Sequence, residues 1–255
     1  MTTRDTTYFI SDLHLGAKYI AAPRAHEQRV VDWLRSIAPT ARRIYMLGDV
    51  LDYWYEYREV VPKGYVRFFG ELARLCDSGV EITWFKGNHD IWIFGYLQSE
   101  LGVKVVDGTI VEQIDGRRFL MDHGDGIPPL KPTFKLIRGV FRNPACQKLF
   151  SGIHPRWTIP FAHGWSASSR GAHTAAPVND LLDPSTDNLI AYARQYLATH
   201  QDTPVDYFIF GHKHLLVDYP IGDSDSRLII LGDWITRYSY ATWDGENLEL
   251  RLFNT

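Results

Sequence analysis

Cysteine is scarce in this chain of 255 residues, which contains only Cys76 and Cys146. Neither belongs to a Cys-X-X-Cys pair, so the sequence offers neither a disulfide framework nor a zinc site built from thiolates. We therefore expect both residues to be ordinary buried thiols.

Long apolar runs are also missing. The longest, such as Tyr207 to Phe210 and Leu228 to Leu231, are far shorter than the ~20 residues that span a bilayer. The N-terminal segment has no apolar signal region, so we expect a cytoplasmic location. Hydrophobic residues at 45% and charged residues at 22% are near globular averages, which excludes intrinsic disorder and coiled coils.

Acidic residues are absent between Asp125 and Asp180, although this stretch carries seven Lys or Arg residues. The net charge of the whole chain is −3, so the positive charge is local and gives no general attraction to nucleic acid. Residues 126–210 also separate two polar motifs by far more than the ~2–6 residues of an ordinary loop. We predict one domain over residues 1–255, with a helical lid inserted at about 127–200.

A repeated unit organises the rest of the chain: a short apolar run that leads directly into a polar cluster. Such runs are typical of buried strands, and helical patterns at 24–37 and 66–76 indicate β-α-β order. Turn signals at Asp115-Gly116 and Asp244-Gly245 predict hairpins and make two sheets the expected arrangement. The six apolar runs are Tyr8 to Ile10, Ile44 to Leu47, Ile82 to Phe85, Phe119 to Met121, Tyr207 to Phe210 and Leu228 to Leu231.

The polar clusters carry the donors of a metal site, at the strand ends where α/β sheets bind ligands. Asp12 and His14 are two positions apart, as are His212 and His214, so in an extended chain each pair points to one side and can hold one ion. Asp49 can bridge two ions from a third strand end. Mixed carboxylate, amide and imidazole donors suit Mn²⁺, Fe²⁺, Co²⁺ or Zn²⁺ better than Ca²⁺. The candidate ligands are Asp12, His14, Asp49, Asn88, His123, His212 and His214.

His89 follows Asn88 and cannot readily aim at the same atom. If Asn88 binds metal, His89 is left to face the substrate. We predict that His89 gives a proton to the leaving oxygen as a general acid, and that Asp90 orients its imidazole. Two divalent ions outweigh the charge of two carboxylates, so the site should attract phosphate oxygens.

The D-x-H, G-D, G-N-H-D, H-G-D and G-H-x-H blocks occur in this order over residues 12–214, and they resemble those of the calcineurin-like metallophosphoesterases. The resemblance implies an α/β fold, in which a two-sheet αββα sandwich carries a helical insertion. It also implies a site for two divalent ions, foremost Mn²⁺, held by the seven candidate ligands with His89 as the catalytic histidine.

Within that family, the stretches Phe9-Ile-Ser-Asp-Leu-His-Leu and Leu47-Gly-Asp-Val-Leu-Asp-Tyr-Trp, with the long basic insertion, resemble the UDP-2,3-diacylglucosamine pyrophosphohydrolases of lipid A synthesis. The well-known branch of that family has Arg after the Asn of the third block, where this chain has His89. The resemblance implies hydrolysis of a nucleotide-linked lipid sugar to UMP and 2,3-diacylglucosamine 1-phosphate, at the cytoplasmic face of the inner membrane.

Pro132 and Asn143-Pro144 are predicted to begin helices in the insertion, with Pro at the first helical position and Asn as the cap. The helix at Pro132 is amphipathic. Its apolar stripe of Phe134, Ile137 and Phe141 would receive acyl chains, or else would pack the insertion onto the body. Basic residues beside the stripe would meet substrate phosphates or anionic head groups at the membrane surface. The predicted substrate contacts are Lys135, Arg138, Arg142, Ser168 and Arg170.

Two other classes of function stay open on the sequence. A general phosphodiesterase or nuclease would also suit a basic stripe, although we expect no nucleic acid partner. A scaffold that binds protein would have no reason to retain seven ligand types together with His89. Asp52, Asp122 and Asp125 can hold imidazoles near a metal or, equally well, cap turns. Trp54 and Tyr55 fit substrate contact and core packing equally well.

Overall fold

Two β-sheets form the centre of the computed structural model, which describes residues 4–160, 164, 183–222 and 225–254. The strands are β1 (Thr6–Ile10), β2 (Ala41–Met46), β3 (Glu81–Phe85), β4 (Lys104–Val106), β5 (Ile110–Ile114), β6 (Arg117–Asp122), β7 (Tyr207–Phe210), β8 (Leu216–Pro220), β9 (Arg227–Leu231), β10 (Ser239–Trp243) and β11 (Leu248–Leu252). The first sheet has the order β11-β10-β1-β2-β3-β4, and the second has the order β5-β6-β7-β9-β8. All six apolar runs predicted as strands lie in or directly at these strands, which confirms the prediction of two sheets.

The helices lie outside the sheets. They are α1 (Pro23–Ile37), α2 (Val66–Asp77), α3 (Tyr96–Leu101), α4 (Pro132–Arg142), α5 (Pro144–Ser151) and α6 (Asn188–Thr199); residues 155–160 are also helical. Helices α1, α2 and α3 share a buried core with the first sheet, whereas α6 packs on the second sheet through Leu189, Ile190 and Ala193. The layers are therefore helix, sheet, sheet and helix, as predicted.

The apolar run of β1 is continuous because both faces of the strand are covered. Phe9 faces the second sheet and lies between the rings of Tyr45 and Phe119, with centroid distances of 5.3 and 5.6 Å. Tyr8 and Ile10 point to the opposite face and pack among the helices. Because side chains alternate along a strand, a strand covered on both faces needs apolar residues at every position.

Parallel pairing brings the polar clusters together. Strands β1, β2 and β3 are parallel neighbours in the first sheet, and β6, β7 and β9 are parallel neighbours in the second. The polar clusters after β1 and β7 meet between the sheets, where the backbone N–H of His212 donates to Asp12 Oδ2 at 2.9 Å. The carboxyl ends of these strands therefore share one edge of the sandwich.

Helices α4 and α5 follow β6 and begin where the sequence predicts. Pro132 and Pro144 occupy their first turns, and the Asn143 side chain caps α5 by accepting from the N–H groups of Ala145 and Cys146. Within these two helices, which are described in full, no residue is buried. Among the described residues, no helix combines the length and the apolar character needed to cross a bilayer.

Candidate metal centre

Left-handed backbone turns place most of the candidate ligands. Asp12 and His14 have φ angles of 55° and 45°, so the prediction that they project from an extended chain is wrong. Asp49, His212 and His214 have φ angles of 51°, 68° and 56°. Asp and His tolerate this region better than most residues, and conformations of this kind cluster at functional sites. The turns bring together side chains that straight strands would spread apart.

Glycine permits the close approach of two of these turns. A Cβ atom on Gly87 would lie 2.2 Å from Asp49 Oδ1 and 2.4 Å from the Asp49 backbone nitrogen. A Cβ atom on Gly211 would lie 2.7 Å from Asp12 Oδ2. Both contacts are too short for any real side chain, so the G-N-H-D and G-H-x-H blocks need glycine for steric reasons.

The first donor cluster joins Asp12, His14 and His214. His14 Nε2 and His214 Nε2 lie 3.4 Å apart, and they lie 3.7 and 3.3 Å from Asp12 Oδ1. Asp12 and His14 are fully buried. Three donor atoms from two different sheets therefore converge on one point.

The second cluster joins Asp49, His123 and His212. His123 Nε2 lies 3.4 Å from Asp49 Oδ2 and 3.2 Å from Asn88 Oδ1. Asp49 Oδ2 also lies 3.8 Å from His14 Nε2, which belongs to the first cluster. The structure thus brings all seven candidate ligands together, with Asp49 between the two groups.

The donor atoms fit divalent cations. Among the described residues, Asp12 Oδ1 is a buried carboxylate oxygen that makes no hydrogen bond, although two imidazole nitrogens are close to it. A buried oxygen without a partner is costly, and a cation held between it and the imidazoles would satisfy all three groups. Burial raises the pKa of Asp12, but the neighbouring His214 and His14 outweigh burial and hold that pKa well below its usual range.

Carbonyl groups orient two imidazoles at this site. His123 Nδ1 lies 2.7 Å from the Leu47 carbonyl oxygen, and His89 Nδ1 lies 3.1 Å from the Asp52 carbonyl oxygen. A carbonyl can only accept, so each Nδ1 carries the proton and donates, and each Nε2 is directed to the site. His89 Nε2 lies 3.9 Å from Asp49 Oδ2. Asp52 Oδ1 is also 3.5 Å from His14 Nδ1, which fits the first of its two predicted roles, that of holding an imidazole.

Asp90 has a different place from the one predicted. Its carboxylate is fully buried and accepts from the backbone N–H groups of Gly87 at 2.7 Å and Val50 at 2.9 Å, and from the indole N–H of Trp84 at 3.1 Å. The Nδ1 atom of His89 is directed at Asp52 instead. Burial and nearby Asp49 raise the pKa of Asp90 to about 6. Asp90 therefore holds the loops after β2 and β3 in place and does not orient the imidazole.

The two arginines of α4 have carboxylate partners on the body of the protein. Arg138 Nε donates to Asp125 Oδ2 at 2.9 Å, and Arg142 forms an ion pair with Asp107. Lys135 is exposed. The predicted contacts Ser168 and Arg170 lie outside the described residues. The structure thus gives two of the predicted phosphate contacts a role in docking α4, and their contact with substrate stays a prediction.

Glu56 is a buried residue that belongs to none of the sequence motifs. Glu56 follows the aromatic run Tyr53-Trp-Tyr, and its Oε2 accepts from the backbone N–H groups of Phe94, Gly95 and Tyr96 at the start of α3. Its Oε1 accepts from the Trp54 indole at 3.1 Å. A lone acid within an aromatic run is the signal that could have identified it.

A two-sheet sandwich with mixed carboxylate and imidazole clusters at one edge defines a metal-dependent phosphoester hydrolase. The model of the calcineurin-like phosphoesterase family matches residues 6–216, and the chain belongs to that family. It is 43% identical to the UDP-2,3-diacylglucosamine hydrolase of Porphyromonas gingivalis, over 97% of each chain.

More distant proteins resemble it too. A UDP-2,3-diacylglucosamine hydrolase of Nitrosococcus oceani is 25% identical over 89% of this chain and 87% of its own. The solved structure of an archaeal phosphodiesterase is 13% identical, covers 97% of this chain and 99% of its own, and has a TM-score of 0.48.

Proposed function

We propose that this chain hydrolyses the pyrophosphate bond of UDP-2,3-diacylglucosamine to give UMP and 2,3-diacylglucosamine 1-phosphate. The observation that carries the proposal is the 43% identity with the Porphyromonas hydrolase over 97% of both chains. The family model matches residues 6–216 and accounts for the chemistry, which many phosphoesterases share. The identity with one lipid-sugar hydrolase over nearly all of both chains supports the substrate as well.

Two divalent cations, foremost Mn²⁺ with Fe²⁺, Co²⁺ or Zn²⁺ as alternatives, are the cofactors in this proposal. Asp12, His14 and His214 would hold one, and His123 and His212 would hold the other with Asp49 shared; Asn88 lies beside His123. Such cations lower the pKa of water and neutralise phosphate charge.

The residues of the chain supply the rest of the mechanism. Water adds to one phosphorus, the anhydride P–O bond breaks, and the leaving phosphate oxygen needs a proton or a positive charge nearby. His89 is partly exposed and its Nδ1 proton is held by the Asp52 carbonyl. Its Nε2 is directed to the site, and in this proposal it gives a proton to the leaving oxygen.

Purified protein reconstituted with Mn²⁺ should release UMP from UDP-2,3-diacylglucosamine, and a chelator should abolish the release. The comparison substrate is bis(p-nitrophenyl) phosphate, a small soluble phosphodiester. Preference for the lipid substrate in kcat/KM supports the proposal, because only that substrate can use binding energy remote from the phosphate. Efficient hydrolysis of the small ester without turnover of the lipid would instead identify a general phosphodiesterase.

The segment 127–200 is the proposed insertion, and α4 and α5 are the part that would meet an anionic membrane surface. The two helices and the residues after them expose large apolar side chains, which we call the exposed apolar face. Lys135, Lys148 and Arg156 are exposed in the same segment, which has no acidic residue between Asp125 and Asp180. Exposed apolar patches beside cations are typical of proteins that bind membranes reversibly. The face consists of Leu136 (69% exposed), Val140 (45%), Leu149 (76%), Ile153 (49%) and Trp157 (70%).

Sedimentation with phosphatidylglycerol vesicles tests the membrane contact. Leu149→Glu should reduce the bound fraction several-fold, because a carboxylate then faces anionic head groups, and added salt should reduce binding of the unmodified protein. Val66→Glu is the matched control, since Val66 is equally exposed at 76% but begins α2. Equal binding of both variants would remove the membrane from the proposal and would leave the cytoplasmic reaction in place.

A further inference from the structure

Two loops connect the metal centre with helices α4 and α5. The loop after β2 begins with Asp49 and reaches Tyr55, and the loop after β3 begins at Gly87 and reaches Trp92. The two loops meet at their far ends. The Glu56 N–H donates to the Trp92 carbonyl at 3.2 Å, and the ring centroids of Tyr55 and Trp92 are 5.3 Å apart. We call the buried residues Tyr53, Tyr55, Ile91 and Trp92 the aromatic shelf.

The shelf is tied firmly to the body. Asp90 accepts hydrogen bonds from both loops and from the Trp84 indole, and Glu56 gathers three N–H groups at the start of α3 with the Trp54 indole. Charged acceptors of this kind contribute more than neutral hydrogen bonds. The position of the shelf relative to the metal ligands is therefore set by the core of the protein.

Helices α4 and α5 rest on this shelf through main-chain acceptors. The Trp92 indole N–H donates to the Phe141 carbonyl at 2.8 Å, and the Tyr55 hydroxyl donates to the Gln147 carbonyl at 2.6 Å. Phe141 lies in the last turn of α4, and its carbonyl also accepts from the Gln147 side-chain amide at 2.9 Å. Phe150 completes the contact by packing 4.7 Å from the Trp92 ring and 5.1 Å from the Tyr55 ring.

These bonds matter because, among the described residues, the two helices are held otherwise mainly by two arginine ion pairs and by the rings of Phe141 and Phe150. Neither helix, both fully described, contains a buried residue, and several of their apolar side chains face outward. An element with few buried contacts opens at low free-energy cost. Removing a donor on the shelf should therefore shift or loosen the helices while the anchored loops stay in place.

From this arrangement we propose that Tyr55 and Trp92 are specificity-determining positioning residues, which set where α4 and α5 stand relative to the metal centre. The inference rests on the proposed function for the identity of the lipid substrate. A substrate that reaches from the metals to these helices depends on their position, whereas a small phosphodiester depends only on the metal centre.

The test is the double variant Tyr55→Phe with Trp92→Phe, which keeps two aromatic rings and removes both donors. Its kcat/KM for UDP-2,3-diacylglucosamine should fall about tenfold, mainly through KM, as expected for two neutral hydrogen bonds. Its hydrolysis of bis(p-nitrophenyl) phosphate should stay within about twofold. Amide hydrogen exchange over residues 132–151 should be faster than in the unmodified protein.

Tyr45→Phe is the matched control. It also removes a hydroxyl donor, to Glu112 Oε2 at 3.0 Å, but between the two sheets. This variant should change neither the ratio of kcat/KM for the two substrates nor the rate of amide hydrogen exchange in α4 and α5. Equal losses on both substrates by the double variant, or unchanged exchange and unchanged kcat/KM, would overturn the inference. If the unmodified protein does not hydrolyse the lipid substrate, the proposed function fails, and hydrogen exchange still decides whether the shelf holds the helices.

Discussion

The metal centre and the α4–α5 pair are neighbours built in opposite ways. At the metal centre, Asp12, His14 and Asp49 are buried, their turns have left-handed backbone conformations, and glycines admit contacts that no other residue would allow. In α4 and α5, both fully described, no residue is buried. The helices are held by a few hydrogen bonds, two arginine ion pairs and partly buried aromatic rings.

The difference fits the functions proposed for the two regions. Donors that hold cations must keep their geometry before substrate arrives, because any reorganisation during the reaction adds to the barrier. If α4 and α5 cover a long lipid, as proposed, they must instead move to admit and release it, which favours few buried contacts. Substitutions at the metal centre should therefore be severe and affect every substrate, whereas substitutions in the helices should be mild and depend on the substrate.

The largest effect should come from Asp49, which stands between the two donor clusters. Asp49→Asn keeps the shape of the side chain and removes its charge. We expect hydrolysis of both substrates to fall roughly 10⁴-fold, because cation chemistry at phosphorus is worth several kcal/mol. Elemental analysis should show less bound Mn²⁺ per chain. Full metal content with full activity would show that the clusters do not form the reaction centre.

His89→Ala should slow turnover roughly 10²- to 10⁴-fold, the usual range for a positioned acid or base. Unlike the Asp49 variant, it should keep its bound metal, which elemental analysis can measure. His200→Ala provides the control, since that imidazole is exposed at the end of α6. Loss of metal from the His89 variant would indicate that His89 is a ligand. The position of His89 beside His14 and Asp49 is also compatible with that role.

Of the two regions, the metal centre could be predicted better from the sequence. The strand ends and the polar clusters after them are local patterns, so the meeting of Asp12 with Asp49 follows from the parallel pairing of β1 with β2. Asp12 meets His214 because the two sheets, which carry β1 and β7, pack against each other. The turn conformations do not follow, because φ at Asp12 is set by contacts between loops that are distant in sequence. Asp90 was misread for the same reason: its partners Val50 and Trp84 lie on other segments.

For α4 and α5, the sequence predicted where each helix begins but not how the helices contact the rest of the protein. Their starts at Pro132 and Pro144 follow from local capping signals, and both are present. The pairing of Arg138 with Asp125 is a contact of side chains that no spacing rule contains. The basic stripe therefore predicted side chains that contact phosphate, whereas in the structure two of these side chains form ion pairs that dock the helix.

A pair of glycine substitutions compares the two regions directly. In Gly87→Ala, the new methyl group would overlap Asp49, and we expect a loss of about 1–3 kcal/mol in the free energy of unfolding together with impaired metal binding. In Gly139→Ala, the methyl group on α4 meets no described atom within 4 Å. That variant should gain about 0.5–1 kcal/mol in local helix stability and keep its activity. Denaturant unfolding, and hydrogen exchange in α4, would measure both, and similar behaviour of the two variants would contradict the comparison.

The smallest effect should come from ion pairs in neither region, which join a buried carboxylate to two largely exposed arginines. Glu71 on α2 accepts from Arg35 on α1 and from Arg74, whose side chains are 58% and 51% exposed. Glu71→Gln should therefore cost only about 0.5 kcal/mol at neutral pH. Burial raises the pKa of Glu71, but hydrogen bonds from the two arginines outweigh burial and lower it.

A carboxyl whose pKa is lower in the folded protein stabilises the fold above its unfolded pKa, which is about 4.3 for Glu. That stability is lost as the pH falls through the lowered folded value. The difference in unfolding free energy between the two proteins should thus be constant near pH 7, should begin to decrease as the pH falls below about 4.3, and should disappear only below the lowered pKa of the folded protein. Urea titrations at several pH values would measure it. A difference that persists in acid would mean that Glu71 contributes through packing of α1 on α2, because packing of these helices does not depend on the charge of the carboxyl group.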